Sequence, residues 1–303
     1  MSRRLLVLCW HNVEPTWAFH AESAERSRRD FARQVAHLRR WANVVPLRSA
    51  LADLAEGRPL PPRAVALTFD DGYLDNVTVA APVLHAAGLP ATFFLVPGFL
   101  SGHVRSWWEE LGHGFERATA SRLLWEGAEY DLLDPGNRRT AQELVTASLK
   151  LLDRQRREDA VAELRARLAA EGPLPERLFM NWDEATRLLE LGHDIQSHTC
   201  SHPILSREAE SLQADELRKS REDLESFFRR PVDVLAYPNG SQGDYSEATL
   251  RMSREAGYAF ACTLRPVASR PHDDHWEVPR MVLDPAVQGP RLLKRALKAW
   301  ISP

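Results

Sequence analysis

The sequence predicts an α/β fold in which about seven strands alternate with helices. Short apolar runs bounded by turn residues, at 64–70 and 91–96, are typical of buried strands. A helix predicted over 75–87 lies between them and ends at Gly88. Strand, helix and strand then form a parallel βαβ unit with a right-handed crossover. A closed barrel and a doubly wound open sheet both fit this alternation.

The same periodicities predict the other elements in order. Leu5 to Trp10 is a continuous apolar run and predicts the first strand. Asn181, with Glu184 three residues later, is typical of a capping box at a helix start. Further strands are predicted at 43–47, 193–197, 233–237, 258–264 and 276–283. Further helices are predicted at 27–41, 206–228 and 247–256, and 51–62 is predicted to be a loop.

Residues from about 98 to 175 interrupt the strand–helix rhythm. They contain Trp107, Trp108 and Trp125, followed by a charged stretch over 138–170 in which leucine and valine recur every three or four residues. This pattern predicts a mostly helical insertion at about 98–175. The expected organisation is one domain over 1–303 that carries this insertion.

Composition excludes several classes of protein. The chain of 303 residues has a formal net charge of -3, which implies no general attraction to nucleic acid. Cys9, Cys200 and Cys262 are far apart and odd in number, which argues against a disulfide framework and a thiolate zinc site. They indicate buried thiols in a reducing compartment.

No targeting or membrane-spanning segment is predicted. Arg3 and Arg4 precede an apolar stretch that is too short for a signal peptide and lacks a small-residue cleavage site. No run is long enough to span a bilayer, so a cytoplasmic location is expected. The basic, amphipathic tail at 291–300 predicts a helix packed on the domain; its alternative role is peripheral contact with the inner membrane face.

Two adjacent carboxylates, Asp70 and Asp71, end the strand at 64–70 and precede Gly72. Neighbouring strand residues point to opposite faces, so the two cannot share a role unless the chain turns there. Gly72 permits that turn. Carboxyl ends of strands are where α/β folds place their chemistry. Taken alone, however, Asp-Asp-Gly is more often a turn or a helix cap.

His198 and His202 follow another predicted strand, in the sequence SHTCSHP. On a helical turn, residues four apart share a face, so both imidazoles could reach one metal ion. Two histidines and one carboxylate leave coordination positions open, as catalytic metal sites do. Asp71 is the natural carboxylate, which leaves Asp70 free as a base. An isolated HxxxH is often a surface pair on a helix.

These motifs resemble the polysaccharide deacetylases with a NodB homology domain, carbohydrate esterase family 4. TFDDGY at 68–73 matches the first motif of that family, and HTCSHP at 198–203 matches the second. LAYPNG at 235–240 resembles its strand-and-turn motif along the sugar groove, and LLVLCWHNV at 5–13 resembles the start of one branch. The resemblance spans about 5–283, with the insertion poorly covered.

The resemblance implies a metal-dependent hydrolase that removes N-acetyl groups from an N-acetylated sugar in a glycan or glycoconjugate. Asp71, His198 and His202 would hold a divalent metal, Zn²⁺ before Co²⁺, Fe²⁺ or Ni²⁺, and Asp70 would be the general base. The fold would be a distorted (β/α)7 barrel, NodB-like, with the site at the carboxyl ends of its strands.

The sequence departs from the family at two points. The arginine-proline-proline-tyrosine motif, whose arginine orients the base, is not visible, and the late leucine-x-histidine that supplies the acid is absent. His11, His272 and His275 are the candidates for the acid. His11 is favoured because it ends the first strand, with a core histidine as the alternative. Arg280 is the candidate to orient Asp70, with a surface salt bridge as the alternative.

Aromatic residues near these motifs suggest a sugar-binding wall. Trp107, Trp108 and Tyr237 could stack on sugar rings, although core packing of the insertion is equally consistent with the two tryptophans. Asn239 could bond a substrate hydroxyl, but its position in Pro-Asn-Gly favours a turn.

Two alternative functions stay open on the sequence. One is a related barrel hydrolase that acts on a non-sugar C–N amide bond. The other is a catalytically dead relative that binds glycans, although Asp70 and all three metal-ligand candidates are present. A cytoplasmic member would meet a glycolipid or glycoconjugate intermediate rather than mature cell-wall polymer.

Overall fold

The structure is a computed structural model that describes residues 3–19, 23–172 and 177–301. Its strands are β1 (Leu5–Trp10), β2 (Asn43–Val44), β3 (Ala64–Phe69), β4 (Thr92–Leu95), β5 (Arg122–Trp125), β6 (Ala128–Asp131), β7 (Asp194–Ser197), β8 (Val234–Ala236), β9 (Phe260–Cys262) and β10 (Met281–Val282). Its α-helices are α1 (Ala24–Trp41), α2 (Leu47–Ala55), α3 (Ala81–Ala87), α4 (Pro97–Leu100), α5 (Trp107–Glu116), α6 (Pro135–Leu149), α7 (Arg154–Arg167), α8 (Trp182–Glu190), α9 (Glu210–Phe228), α10 (Glu247–Glu255) and α11 (Gly289–Ile301).

Seven parallel strands form the main sheet, in the order β10-β1-β3-β4-β7-β8-β9, with β2 paired beside β3. The two ends of this order meet. The Val278 N–H donates to the Ala261 carbonyl at 2.8 Å, and the Thr263 N–H donates to the Val278 carbonyl at 2.8 Å. The sheet therefore curls into the distorted (β/α)7 barrel that the resemblance implied, not an open doubly wound sheet.

Strand alternation divides the core into two layers. Leu6, Leu8 and Trp10 of β1 pack outward in the cluster beneath the helices. Leu5 and Val7 pack inward, in a cluster that also contains the inward residues of β3, β8 and β9 and one side of α2. Since several of these residues begin their strands, α2 covers the amino end of the barrel. The carboxyl end is left for polar groups.

The helix α2 corrects the prediction of a loop over 51–62. Leu47, Ala50, Leu51 and Leu54 recur at helical spacing and are all buried. The three prolines that suggested a loop lie after the helix, so they end it rather than prevent it.

Other element boundaries also differ from the predictions. The helix predicted at 75–87 starts as a π-helical turn, Asn76–Ala80, before α3. The helix predicted at 206–228 is preceded by a short 3₁₀ turn, Leu205–Arg207. The strand predicted at 276–283 is two residues long. Apolar runs predicted the existence of these elements better than their ends.

The segment between β4 and α8 has a core of its own, in which α5 packs against α6 and α7. It also contains a β-hairpin, β5–β6, that the sequence did not predict. The two-residue turn between these strands has positive φ at both Glu126 and Gly127. Turns of this type match the twist of the paired strands. Glu-Gly is a weaker hairpin signal than Asn-Gly, which is why the sequence does not predict this hairpin.

The tail forms α11, whose Leu292, Ala296 and Ala299 are buried against the core. Leu297 is the large apolar side chain of α11 that is left 48% exposed. Among the residues that the structure describes, no helix combines the length and the apolar character needed to cross a membrane.

Candidate active site and metal centre

Asp71, His198 and His202 meet at the carboxyl end of the barrel, and all three are buried. The Nε2 atoms of His198 and His202 each lie 3.3 Å from Asp71 Oδ1. Ligands about 2.0–2.2 Å from a tetrahedral ion are about 3.3–3.6 Å apart, which is the spacing found here. Asp71 Oδ1 accepts no hydrogen bond from the described residues. An ionised oxygen buried in this way is costly unless a cation or donor reaches it, so the residues fit a divalent metal.

The loop that carries the two histidines is not helical, so the predicted helical-turn geometry for His198 and His202 was wrong. Thr199 and His202 both have left-handed backbones, with φ of 65° and 57°. These unusual conformations turn the chain back on itself so that both rings face Asp71. Asp71 is itself left-handed, with φ of 71°, which rotates it away from the direction of Asp70.

Glu216 of α9 holds this histidine loop in place. Its Oε2 accepts hydrogen bonds from the N–H groups of Cys200 and Ser201, each at 2.8 Å. Its Oε1 accepts a hydrogen bond from the Ser201 hydroxyl at 2.6 Å. These bonds satisfy buried backbone donors that a strained loop would otherwise leave without partners.

The surroundings of each histidine orient its ring. His198 Nδ1 lies 2.7 Å from the Ala236 carbonyl, so it carries the proton and Nε2 keeps a lone pair that faces Asp71. The His202 ring packs against Trp108, with ring centroids 4.6 Å apart. Burial lowers the pKa of His202 and outweighs the attraction of Asp71, so this ring favours the neutral form. For His198, burial acts in the same direction, but the charges of Asp70 and Asp71 outweigh it and raise the pKa.

Asp70 forms a bidentate, hydrogen-bonded ion pair with Arg280 inside the barrel. Arg280 Nη1 and Nη2 donate to Asp70 Oδ1 and Oδ2, each at 2.7 Å, and both side chains are buried. Burial alone would raise the pKa of Asp70, but the charges of Arg280 and His198 outweigh it and hold that pKa below its ordinary value. Arg280 is 1% exposed, so the surface salt bridge considered for it is excluded.

Cys9, His11 and Asp70 form a second group of potential ligands, with atoms within 4.8 Å of one another. Strand alternation explains it, because Cys9 of β1, His11 just after β1 and Asp70 just after the paired strand β3 continue the inward-facing positions of these strands. Burial raises the pKa of the Cys9 thiol well above its ordinary value. Cys9 therefore stays protonated and donates to Asp70 Oδ2 at 3.5 Å. Both Asp70 oxygens already bind Arg280, so we do not interpret this group as a metal site.

His11 lines the active-site cavity, which has a volume of about 370 Å³ and also contains Asp71 and His202. Asn76 Nδ2 donates to the His11 carbonyl at 2.9 Å, and the His11 ring stacks on Phe19 at 5.9 Å. The other two candidates for the acid do not line this cavity. His275 contacts Phe260, at the amino end of β9, and lines a different cavity. His272 is in the neighbouring loop.

Tyr237 cannot form a sugar-stacking wall, which corrects that prediction. It is 1% exposed, and its ring stacks on Tyr245 inside the protein. Trp107 and Trp108 do line the cavity. Asn239 has a left-handed backbone, as a turn requires, with φ of 58°. It also lines the cavity, and its buried Nδ2 has no hydrogen-bond partner among the described residues, so this amide is available to a substrate.

Two features of the site were missed in the sequence. Trp108 Nε1 donates to the Tyr73 hydroxyl at 2.8 Å, which in turn donates to Glu109 Oε1 at 2.7 Å. This chain of hydrogen bonds fixes Trp108 beside the metal ligands, and no sequence pattern indicated it. The second feature is that α6 lines the cavity. The spacing of Gln142, Thr146 and Lys150 shows in the sequence that they share one helix face, but it does not show that this face lines the cavity.

Comparisons with known proteins identify a family for this chain. The polysaccharide deacetylase family matches at residues 57–129 and 135–261. YxkH of Bacillus subtilis (strain 168), whose name assigns it provisionally to the polysaccharide deacetylases, is 21% identical over 281 residues, 91% of this chain and 73% of that protein. The poly-beta-1,6-N-acetyl-D-glucosamine N-deacetylase of Escherichia coli (strain K12) is 34% identical over 91 residues, 29% of this chain and 13% of that protein.

The fold also matches a solved structure over its whole length. The Streptococcus pyogenes deacetylase PplD in complex with acetate superposes with a TM-score of 0.65 and 15% identity, covering 98% of this chain and 99% of that one. At 15% sequence identity, this match shows a shared fold and nothing about a shared activity. The family match, in contrast, covers more than half of the chain. The chain therefore belongs to the polysaccharide deacetylase family.

Proposed function

We propose that this chain hydrolyses N-acetyl groups on the sugars of a glycan or glycoconjugate, with Asp71, His198 and His202 as metal ligands and Asp70 as general base. One observation carries the proposal. Three buried ligand atoms converge beside a fourth buried group, Asp70, and two of the three ligand residues, Asp71 and His202, line a cavity with aromatic walls. The family to which the chain belongs consists of hydrolases that act on such N-acetyl bonds.

The ligand set suits a borderline metal ion. Two imidazole nitrogens and one carboxylate oxygen are the donors of catalytic zinc sites and leave coordination positions open. Zn²⁺ is proposed first, and Co²⁺, Fe²⁺ or Ni²⁺ would accept the same donors. When bound, such an ion polarises a carbonyl oxygen and lowers the pKa of water.

Asp70 is placed to accept the proton of the attacking water. The guanidinium of Arg280 occupies one lone pair on each carboxylate oxygen, and the Cys9 thiol also donates to Oδ2, so Oδ1 keeps a lone pair for a proton. The lowered pKa of Asp70 keeps the carboxylate ionised well below neutral pH. Asp70 Oδ2 lies 3.9 Å from His198 Nε2, so this base faces the metal-ligand cluster directly.

His11 is proposed to protonate the leaving amine. It lines the same cavity as Asp71 and His202, on the wall formed by the end of β1. Trp107 and Trp108 would contact the sugar ring where they line the cavity, and Asn239 Nδ2 would donate to a sugar hydroxyl or acetyl oxygen.

The function is tested by incubating the Zn²⁺-loaded protein with N-acetylglucosamine oligomers and measuring released acetate. Release from the oligomers, with little from a small non-sugar acetamide, is the expected result. The reverse preference would favour an amide hydrolase that does not act on sugars. Binding of the oligomers without any acetate release would favour a glycan-binding relative.

Replacing His11 by Ala should lower kcat on N-acetyl sugars by about 10²- to 10⁴-fold, because the amine then leaves without a proton donor. An activated acetate ester, whose leaving group needs no proton, should be hydrolysed at nearly the wild-type rate. His275→Ala is the matched control and should change neither rate, because His275 lies beside Phe260 in another cavity. Equal losses on amide and ester would show that His11 is not the acid.

The cytoplasmic location and the membrane contact of 291–300 stay predictions from the sequence. The apolar residues of α11 that pack on the core are not free to enter a bilayer, which leaves mainly its basic residues for such a contact.

A further inference from the structure

One polar face of α6 forms part of the wall of the active-site cavity. Gln142, Thr146 and Lys150 are spaced four residues apart, so they share one side of the helix and its C-terminal cap. All three line the cavity that contains Asp71. The insertion therefore contributes directly to the surface that a substrate would contact.

The same face continues beyond this cavity. Arg139, three residues before Gln142, lines an adjoining cavity of about 570 Å³. His11, Phe19 and Val282 line both cavities, so the two adjoin across these residues. Arg139 and Lys150 are eleven residue steps apart, which span about 16 Å along the helix, enough to follow more than one sugar of a chain.

Lys150 gives the active-site cavity an unused positive charge. Among the described residues that line it, Lys150 is the one lysine or arginine and Asp71 is the one carboxylate. A divalent metal held by Asp71 would exceed that negative charge by one unit, and Lys150 would add a second positive charge. The cavity would then carry a net positive charge, which the proposed chemistry does not require.

The neighbours of Lys150 do not account for this charge. Within the described residues, no carboxylate oxygen lies within 4.0 Å of the Lys150 ammonium, so Lys150 forms no ion pair there. Asp244 is the nearby acid whose charge attracts the Lys150 ammonium. The carboxylate of Asp244 already accepts a hydrogen bond from the Ser241 N–H at 2.9 Å. Arg157 is a nearby cation whose charge acts against that of Lys150. Its guanidinium lies 5.2 Å from the Trp107 ring and 3.9 Å from the Glu208 carboxylate.

A lysine at a helix C-terminus often only stabilises the helix dipole. That role is served equally well by a lysine that faces bulk solvent, and it does not explain why Lys150 lines the cavity. A lysine ammonium is a compact point charge with three donors, and it commonly binds phosphoryl and carboxylate groups.

We propose that Lys150 binds an anionic group of the substrate, a phosphoryl or carboxylate group on a sugar next to the one that loses its acetyl group. Gln142 and Thr146 bind hydroxyls of the same part of the chain. The inference rests on the proposed function, because it places the anionic group relative to the acetamide that is cleaved. It defines the substrate class as an acidic glycan or glycoconjugate.

The test measures binding directly, in Zn²⁺-loaded protein that carries Asp70→Asn so that no ligand is consumed. Calorimetry compares three N-acetylglucosamine trisaccharides: one neutral, one with a phosphate monoester and one with a carboxylate on the sugar next to the acetylated one. The anionic ligands should bind about tenfold more tightly, because a bond to a charged group contributes more than a neutral one. The two anionic ligands show which acidic group is preferred.

Lys150→Ala should weaken binding of the preferred anionic ligand about five- to tenfold and change that of the neutral one less than about twofold. Lys150→Arg should keep most of the preference. Lys294→Ala, at an exposed lysine of α11, is the matched control and should change neither affinity. Raising the ionic strength from about 0.05 to 0.5 M should remove most of the preference, because salt screens an exposed charge.

An unchanged preference in Lys150→Ala, equal binding of all three ligands, or binding of none would overturn the inference. Acetate release by protein with the native Asp70 separates it from the proposed function. If no oligomer releases acetate while the preference persists, the hydrolase proposal fails and the anion site stands. If neutral and anionic oligomers are cleaved with equal KM, the anion site fails and the hydrolase proposal stands.

Discussion

Replacing Asp70 by Asn is expected to lower kcat by about 10²- to 10⁴-fold while the protein still binds about one divalent ion per chain. An amide cannot take the proton of the attacking water, yet it has nearly the shape of the carboxylate. Asp70 is not among the three converging metal-ligand candidates, so metal content should survive. Acetate release and elemental analysis of the same preparation measure both quantities.

The adjacent carboxylate is the matched comparison. Asp71→Asn makes the same chemical change one residue along the chain, but it removes the negative charge from the group that both histidines face at 3.3 Å. We expect this variant to lose metal and activity together. If Asp70→Asn also lost its metal, or if Asp71→Asn kept it, the proposed division of roles between the two carboxylates would be wrong.

Replacing Arg280 by Met should move the acidic limb of the kcat/KM profile to higher pH and lower kcat/KM by about 10²-fold near pH 6. In the native protein the charge of Arg280 helps to outweigh burial and holds the pKa of Asp70 low. Without that charge, burial dominates and raises the pKa of Asp70 above its ordinary value. The base is then protonated in a pH range where the native enzyme is active.

The same variant should lose about 3–5 kcal/mol of unfolding free energy at neutral pH, because it leaves a buried carboxylate without its partner. The loss should shrink at acidic pH. A carboxyl whose pKa is raised in the folded state stabilises the fold while protonated, and stability falls as pH rises through that pKa. Chemical denaturation at several pH values measures this dependence.

Arg251→Met is the control for the Arg280 variant. Arg251 is a 57% exposed arginine that pairs with Glu210, so its loss should change stability by less than about 0.5 kcal/mol at any pH. An Arg280→Met enzyme with an unshifted pH profile would show that the guanidinium does not control the protonation of Asp70. Rescue by Arg280→Lys would show that charge matters more than the paired hydrogen bonds.

Much of the barrel was predictable because its signals are local. The bounds of β1, Leu5–Trp10, and the capping box of Asn181 with Glu184 match the sequence predictions. The parallel pairing of β3 and β4 also follows from the sequence, since two adjacent strands joined by one helix usually run parallel. Parallel strands have their carboxyl ends at the same edge of the sheet. The sequence therefore predicted that Asp71, after β3, and His198, after β7, lie near each other.

The rest depends on tertiary geometry that periodicity does not encode. The bidentate contact of Arg280 with Asp70 joins residues 210 positions apart in the sequence. His198 and His202 converge through left-handed residues in a loop, where spacing had suggested a helix. Tyr237 and Trp108 are both aromatic residues near motifs, but one is buried in the core and the other lines the cavity. Composition cannot separate such cases.

Whether Asp71, His198 and His202 bind a metal is decided by the metal content of the purified protein, measured by elemental mass spectrometry beside a His198→Ala, His202→Ala double variant. About one divalent ion per chain, absent from the double variant, is the expected result, since each histidine lies 3.3 Å from the shared oxygen of Asp71. No metal in the native protein even after incubation with Zn²⁺, or equal metal in both proteins, would contradict the proposal that these residues form a catalytic metal centre.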